Sequence, residues 1–364
     1  MKKSLIALAV LASAGVASAQ SSVTLFGIVD VALSYGSGNG VGSSNKTQLT
    51  SGAYNSSRIG FRGTEDLGGG MSASFWLEAG MANDNGSGAP TNTNNQASGT
   101  GAAAAGTQGL TFNRRSTVSL GGGWGEVRLG RDYNPQFWNL TVFDPFGSVG
   151  VGGSQVQPGH YAVYAPGGGV NGLGVRSSNS IGYFLPGNLG GFYGQLQYYM
   201  GENNKNVPNS KDGNGAGIRA GYANGPANAA IAYSRTRFAS GDIKTLNIGG
   251  QWDFGVAKLM GAYNRDRVSG INTGGKGGVI GALVPVGPGE IRLAYSTFKF
   301  DTFGNPRTDK IALGYVHNLS KRTALYTTYA RVKNRGGAAT ALAGSTTAVN
   351  GNSSGFDFGV RHSF

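Results

Sequence analysis

The chain finishes on Gly355 to Phe364, GFDFGVRHSF, in which Phe356, Phe358, Val360 and Phe364 alternate with Asp357, Gly359, Arg361 and Ser363. Side chains on a strand point to opposite faces in turn, so this segment has an oily face and a wet one and stops on an aromatic. A strand of a soluble sandwich would run on into a turn or linker. A chain-final amphipathic strand suits the closing stave of a transmembrane β-barrel. At the other end, Lys2 and Lys3 precede an apolar run from Leu5 to Leu11 and then Ala17-Ser18-Ala19. That is the pattern of an export signal with an A-x-A cleavage site, so residues 1–19 are expected to be a signal peptide and residues 20–364 the barrel. The run is far short of the ~20 apolar residues of a spanning helix. No later stretch is long and uniform enough for one either, so further membrane contact is expected through strands. The chain has no cysteine. An exported protein without disulfides must be held by its backbone ladder and packing, which a closed barrel supplies.

From Ser22 to Tyr35 onward the sequence falls into about sixteen alternating segments, including Gly52 to Glu65, Gly70 to Met81, Gly109 to Gly121, Gly174 to Leu185 and Ser354 to Phe364. Each is near the roughly 9 to 11 residues of a tilted membrane strand, and an even count puts both termini on the periplasmic side. Short turns such as Asp66-Leu67-Gly68-Gly69 and Gly287-Pro288-Gly289 trade places with long polar loops, as the two ends of an outer-membrane barrel require. The loop Ala82 to Gln108 is rich in Asn, Gly, Ala and Thr and lacks apolar residues to offset the entropy of ordering it. Asp132 to Leu173 differs. It carries Tyr133, Phe137, Trp138, Leu140, Phe143 and Phe146, enough apolar surface to pack against something, and is expected to fold into the barrel and narrow it. Tyr35, Tyr198 with Tyr199, Trp252, Tyr263, Tyr295 with Phe298, and Tyr326 with Tyr329 lie near strand ends, where interfacial girdles are expected.

Lys plus Arg number 30 against 17 Asp plus Glu, a formal +13; without Lys2 and Lys3 it is 13 − 2 = +11. Such an excess favours anionic partners. Nucleic acid is excluded as the partner: the cations are scattered, no helix-turn-helix or zinc pattern is present, and the export signal points away from it. The 66 glycines lack the period of collagen and fit the tight turns of a barrel.

Strand parity selects the lumenal charges. In YNSSRIGFRGTEDL, Ile59 and Phe61 share one face and Arg58 and Arg62 the other; arginine turned to mid-bilayer would cost roughly 2 to 4 kcal/mol, so the arginines face the lumen. Arg176, Arg219 and Arg292 face inward by the same argument. For Arg114 and Arg115 parity allows only one inward side chain and leaves the choice open. Glu78, opposite in parity to Phe75 and Leu77, is read as an inward acid, and Asp144 sits in the narrowing loop. Acids and bases opposed across a narrow lumen select ions by charge, and this excess of arginine favours anions.

SSRIGFRGTEDLGGGMSASFWLEAG, FNRRSTVSL, GEVRLGRDYNPQFW, the FDPFG loop, VRSSNSIGY and the terminal FDFGVRHSF together resemble the general trimeric diffusion porins of the Gram-negative outer membrane, closest to a β-proteobacterial branch with anion-selective members. The resemblance covers essentially the whole mature chain. It implies a 16-stranded antiparallel transmembrane β-barrel with an inward-folded third external loop, a homotrimer, contact with outer-membrane lipid and lipopolysaccharide, and passage of small anionic and neutral solutes. By motif it implies a basic constriction of Arg58, Arg62, Arg114 or its rival Arg115, Arg131 and Arg176, with Glu78 as wall acid and Asp144 as loop acid. Relatives often carry a PEFG-like sequence in this loop; here the acid precedes the proline, in Asp144-Pro145-Phe146-Gly147.

An enzyme is disfavoured. His160, His317 and His362 are the only histidines: His362 lies on the outward parity of the terminal strand, His317 sits at a turn, and His160 in the narrowing loop has no evident acid and serine partner nearby in sequence; no metal-ligand spacing or phosphate loop is present, so neither a catalytic residue nor a cofactor is expected. A phosphate- or organic-acid-specific channel on the same barrel would use the same arginines. A non-conducting adhesin would plug the lumen, whereas the inward row of Gly, Ser, Thr and Arg suits water.

Overall fold

A computed structural model describes residues 22–89, 91, 95, 109–164, 174–238, 241–270 and 273–364. The expected signal peptide lies outside the described residues, as does most of the stretch 90–108. The strands are β1 (Ser22–Gly38), β2 (Lys46–Ser51), β3 (Arg58–Gly68), β4 (Met71–Ala82), β5 (Ser87–Gly88), β6 (Arg115–Gly122), β7 (Gly125–Tyr133), β8 (Arg176–Phe184) and β9 (Phe192–Tyr199). They continue with β10 (Gly215–Asn224), β11 (Ala227–Thr236), β12 (Ile243–Asp253), β13 (Lys258–Val268), β14 (Thr273–Val286), β15 (Gly289–Phe300), β16 (Arg307–Asn318), β17 (Thr323–Arg335) and β18 (Asn352–Ser363). Two helices, α1 (Pro135–Val142) and α2 (Val156–Tyr164), lie in the long connection between β7 and β8.

Neighbouring strands pair antiparallel, and β1 closes the sheet on β18 from Ile28 opposite Ser363 to Gly38 opposite Ser353. Segments β2 and β3 share one place in the wall, pairing with the two halves of β1, while β5 is a two-residue segment that turns back to pair antiparallel with the end of β4; among the described residues this gives 18 − 2 = 16 staves. The expected strand from Gly52 to Glu65 therefore starts later, at Arg58. The reason is local: the Asp30 carboxylate accepts the amides of Tyr54 (3.0 Å) and Asn55 (2.5 Å), which pulls this segment out of the ladder. Closure leaves no unpaired edge, the condition for a sheet to sit in hydrocarbon.

The alternation expected for the last strand holds: Phe356, Phe358 and Val360 are exposed on the outer wall, and Asp357 is buried inside. Tyr35, Tyr198, Trp252, Tyr263, Tyr295 and Tyr329 also face outward, but Tyr199, Phe298 and Tyr326 are buried on the inner side. Residues an odd number of positions apart on a strand face opposite ways, so each of these three pairs splits between the two faces.

The described part of the β7–β8 connection, 134–164, folds inward as expected, and residues 165–173 of that expectation lie outside the described residues. Helix α1, opened by Pro135 where a missing amide hydrogen is harmless, packs on β10, β11 and β12, and α2 packs on β13, β14 and β15. The wall makes room with glycine. A Cβ on Gly249 would stand 2.2 Å from the Phe143 ring and one on Gly281 2.5 Å from Pro145, while Ala230, Ala262 and Ala294 fill the strands between. Leu140, Phe143, Phe146, Val151 and Val156 form the apolar cluster that docks the loop there. Its tip is clamped at both backbone groups of Val151, whose amide donates to Asp357 Oδ2 (2.8 Å) and whose carbonyl accepts from Lys310 Nζ (2.9 Å). Tyr164, fully buried on α2, meets Thr245 through its hydroxyl at 3.2 Å, and burial pushes its phenol up to about 12.

Candidate pore constriction

Between the folded-in loop and the facing wall lies a cavity of about 510 Å³. Arg58, Arg114 and Arg176 reach it from one side and Arg292 from another, whereas the loop presents Trp138, Thr141, Gly147, Gln157 and Tyr161. No carboxylate lines it among the described residues.

The first three guanidiniums are held in one network. Glu78, buried on β4, accepts from Arg114 Nε (2.5 Å) and Arg58 Nη1 (3.4 Å) through Oε1, and from the Trp76 indole (3.1 Å) through Oε2. The Tyr133 hydroxyl accepts from Arg114 Nη2 (2.9 Å) and Arg176 Nη2 (2.8 Å), and the Arg176 guanidinium lies 4.3 Å from the centre of the Tyr133 ring. Arg176 Nε donates to the Arg114 carbonyl at 2.8 Å. Planar guanidinium forks tolerate this crowding because they are weakly hydrated and stack on aromatic faces. Arg292 is steadied by Glu290 (2.9 Å) and by the Tyr54 hydroxyl (3.0 Å). Four arginines against the two carboxylates that brace them give a formal 4 − 2 = +2 at this cavity.

Arg58, Glu78, Arg114 and Arg176 are thus brought together, whereas other residues named from the sequence are placed elsewhere. Arg62 faces inward but lies four residues, roughly 13 Å, along the strand from Arg58. Its guanidinium stacks on Phe26 (5.3 Å) and Trp76 (5.1 Å), outside the cavity. Both Arg114 and Arg115 turn inward, which parity within one strand forbids. Arg114 precedes β6 in a bend and escapes the rule, while Arg115 is in register with Glu78 and lies over Trp76 at 4.6 Å.

Arg131 does not reach the lumenal cavity. The register of β7 shifts between Gly130 and Asp132, and Arg131 is opposite Ser116, itself opposite outward Leu77, so its side chain lies at the outer side of the wall. There it donates to the Asn113 carbonyl (2.5 Å) and the Ser178 hydroxyl (2.8 Å). Asp144 is not turned on the arginines. Its carboxylate caps its own loop, accepting from the amides of Phe146 (2.9 Å) and Ser154 (2.8 Å) and from the Ser148 hydroxyl (3.1 Å), because an acid ahead of proline is placed to close a tight turn. The transverse field expected between wall and loop is therefore replaced by a cationic wall facing a neutral, largely aromatic loop. Asp144→Asn should accordingly leave the reversal potential in a salt gradient unchanged, whereas Glu78→Gln should move it further toward the anion limit; the opposite pattern would return the selecting acid to the loop.

Sequence reasoning missed the bridging role of Tyr133, although it selects Arg131 two residues away, and placed Arg292 in the lumen without assigning it to the constriction. His160 does have an acid, Asp266, at 2.9 Å, from a distant strand. The pair is fully buried against Thr245 and Asn264 and anchors α2 rather than meeting solvent.

The profile of the Gram-negative porin family matches residues 4–337. An outer membrane porin, protein 32 of Delftia acidovorans, is 39% identical with both chains covered in full, and an outer membrane porin of Bordetella pertussis is 30% identical over 92% of this chain and 95% of its own. Among solved structures, the anion-selective porin from Comamonas acidovorans superposes with a TM-score of 0.79 at 35% identity, covering 94% of this chain and all of that one. With its closed sixteen-stave wall and inward-folded loop, the chain belongs to the Gram-negative porin family of the outer membrane.

Proposed function

We propose that this porin is a passive diffusion channel for small hydrophilic solutes whose constriction prefers anions, with Arg58, Arg114, Arg176 and Arg292 as the selecting groups. One observation carries the reading: four guanidiniums and, among the described residues, no carboxylate line the cavity at the folded-in loop. In a narrow, low-dielectric passage such an arrangement raises the local concentration of anions and excludes cations. The anion-selective relative supports it. The loop is held by packing and buried hydrogen bonds, so it acts as a fixed constriction and needs no energy source. No catalytic role is assigned to any residue.

The test is planar-bilayer conductance under a salt gradient. A reversal potential on the chloride side and a conductance linear in chloride are the expected results; a cation-side potential overturns the selectivity, and no conductance overturns the channel. Saturation with phosphate or an organic acid would convert the reading to a substrate-specific channel. In the same reading the protein is a homotrimer in contact with outer-membrane lipid and lipopolysaccharide, and residues 1–19 are removed on export. Unheated electrophoresis should give a trimer band and amino-terminal sequencing should begin at Gln20.

A further inference from the structure

The two sides of the constriction use their aromatic rings differently. On the cationic side the rings are covered: the Arg176 guanidinium lies 4.3 Å from the centre of Tyr133, and Arg292 lies 4.5 Å from that of Tyr54. On the loop side, Trp138 of α1 and Tyr161 of α2 line the same cavity, both half-buried. No cation lies over either ring among the described residues. Both rings are held in place. Trp138 meets Tyr133 edge to face with centres 5.1 Å apart, and Gln157 Nε2 donates to the Tyr161 hydroxyl.

The guanidiniums keep donors in reserve. Arg58 Nη2, Arg114 Nη1, Arg176 Nη1 and Arg292 Nη1 donate to no protein group among the described residues, while their other nitrogens are taken by Glu78, Tyr133, Glu290, Tyr54 and backbone carbonyls. Such a guanidinium edge is a planar donor suited to carboxylate oxygens. An uncovered indole or phenol face is suited to a second flat ring.

We propose that the constriction retains aryl carboxylates. The carboxylate accepts from the uncommitted guanidinium nitrogens, and the flat ring lies against Trp138 and Tyr161. Arg176 and Trp138 both pack on Tyr133, so one molecule the size of benzoate reaches from the guanidinium to the indole. The cavity of about 510 Å³ is of the size that holds small organic ligands. Chloride, phosphate or an aliphatic acid would use the cations alone and leave the loop rings unused. This station rests on the channel reading and names the solute class that the channel holds longest: small solutes pass, and an aryl carboxylate is delayed, because a site within a channel must also release what it binds.

Chloride current across a planar bilayer tests this, with benzoate, cyclohexanecarboxylate or acetate added as the sodium salt. Cyclohexanecarboxylate keeps the charge and the ring carbons of benzoate but is neither flat nor aromatic. Benzoate, the slower passenger, should lower the chloride current with a half-blocking concentration roughly fivefold below that of cyclohexanecarboxylate and further below that of acetate. This comparison is made on the unaltered protein and requires no variant to fold. In W138L/Y161L the two ring acids should block alike, a ratio taken within one protein and independent of any change in its pore width. Absence of chloride current before any acid is added would overturn the channel reading itself. A chloride-side reversal potential combined with equal block by benzoate and cyclohexanecarboxylate in the unaltered protein, or a benzoate preference that persists in W138L/Y161L, would overturn the aryl station alone.

Discussion

Replacing Arg58 and Arg176 together by glutamine should carry the reversal potential from the anion side toward the cation side, the largest change in selectivity expected from any pair in the barrel. Each lumenal charge is worth about 1 kcal/mol to an ion at 4 Å in bulk-like water and more where the wall excludes water. Removing two therefore lowers the partitioning of an anion by roughly 30-fold and raises that of a cation by a similar factor. The pair also turns the local balance from 4 − 2 = +2 to 2 − 2 = 0, with Glu78 left to Arg114 alone. Arg176 lies against Tyr133 and Arg58 at a strand start, so glutamine in their places leaves the backbone ladder untouched. A gradient potential that does not move would mean that these side chains are not at the narrowest point.

Phe143→Ala should widen the channel and make it noisy while leaving the barrel itself as heat-resistant as before. The ring is fully buried where Gly249 leaves space in β12, and losing a buried phenyl costs about 3–5 kcal/mol. That cost falls on the docking of the folded-in loop, because the closed ladder of the wall does not pass through Phe143. The remaining anchors, Val151 between Asp357 and Lys310 and the His160–Asp266 pair, hold the tip and α2, so the loosening falls on α1 and the segment that follows it. Single-channel recordings should show a higher mean conductance with frequent brief transitions. Conductance and noise indistinguishable from those of the unaltered protein would show that the loop is held by something other than this apolar cluster.

Much of the wall is legible in the order of residues alone. Period-two alternation with hydrocarbon outside is a strict local rule, and it assigns the faces of Phe356 to Val360 and the inward directions of Arg58, Arg62, Arg176 and Arg292. The aromatic loop residues also announce that Asp132 to Leu173 packs, since six or more large apolar side chains cannot all be left in water. Parity left Arg114 and Arg115 as rivals, and both turn inward because Arg114 lies in a bend just before β6. Arg131, placed in the constriction by the resemblance alone, keeps the outward parity of Leu129.

The alternating pattern and the excess of Lys and Arg by themselves determined that this protein is a wet-bored barrel with a net positive wall, because side-chain direction along a strand depends only on position. Only the tertiary structure decided which charges meet. Glu78 gathers Arg58 and Arg114, Tyr133 joins Arg114 to Arg176, and Asp144 is spent on its own turn, and the first two of these arrangements join segments far apart in the chain. Selectivity at the constriction is set by distances of a few ångströms between such segments, and those distances are fixed by how the loop seats on the glycines of the wall rather than by any local pattern of residues.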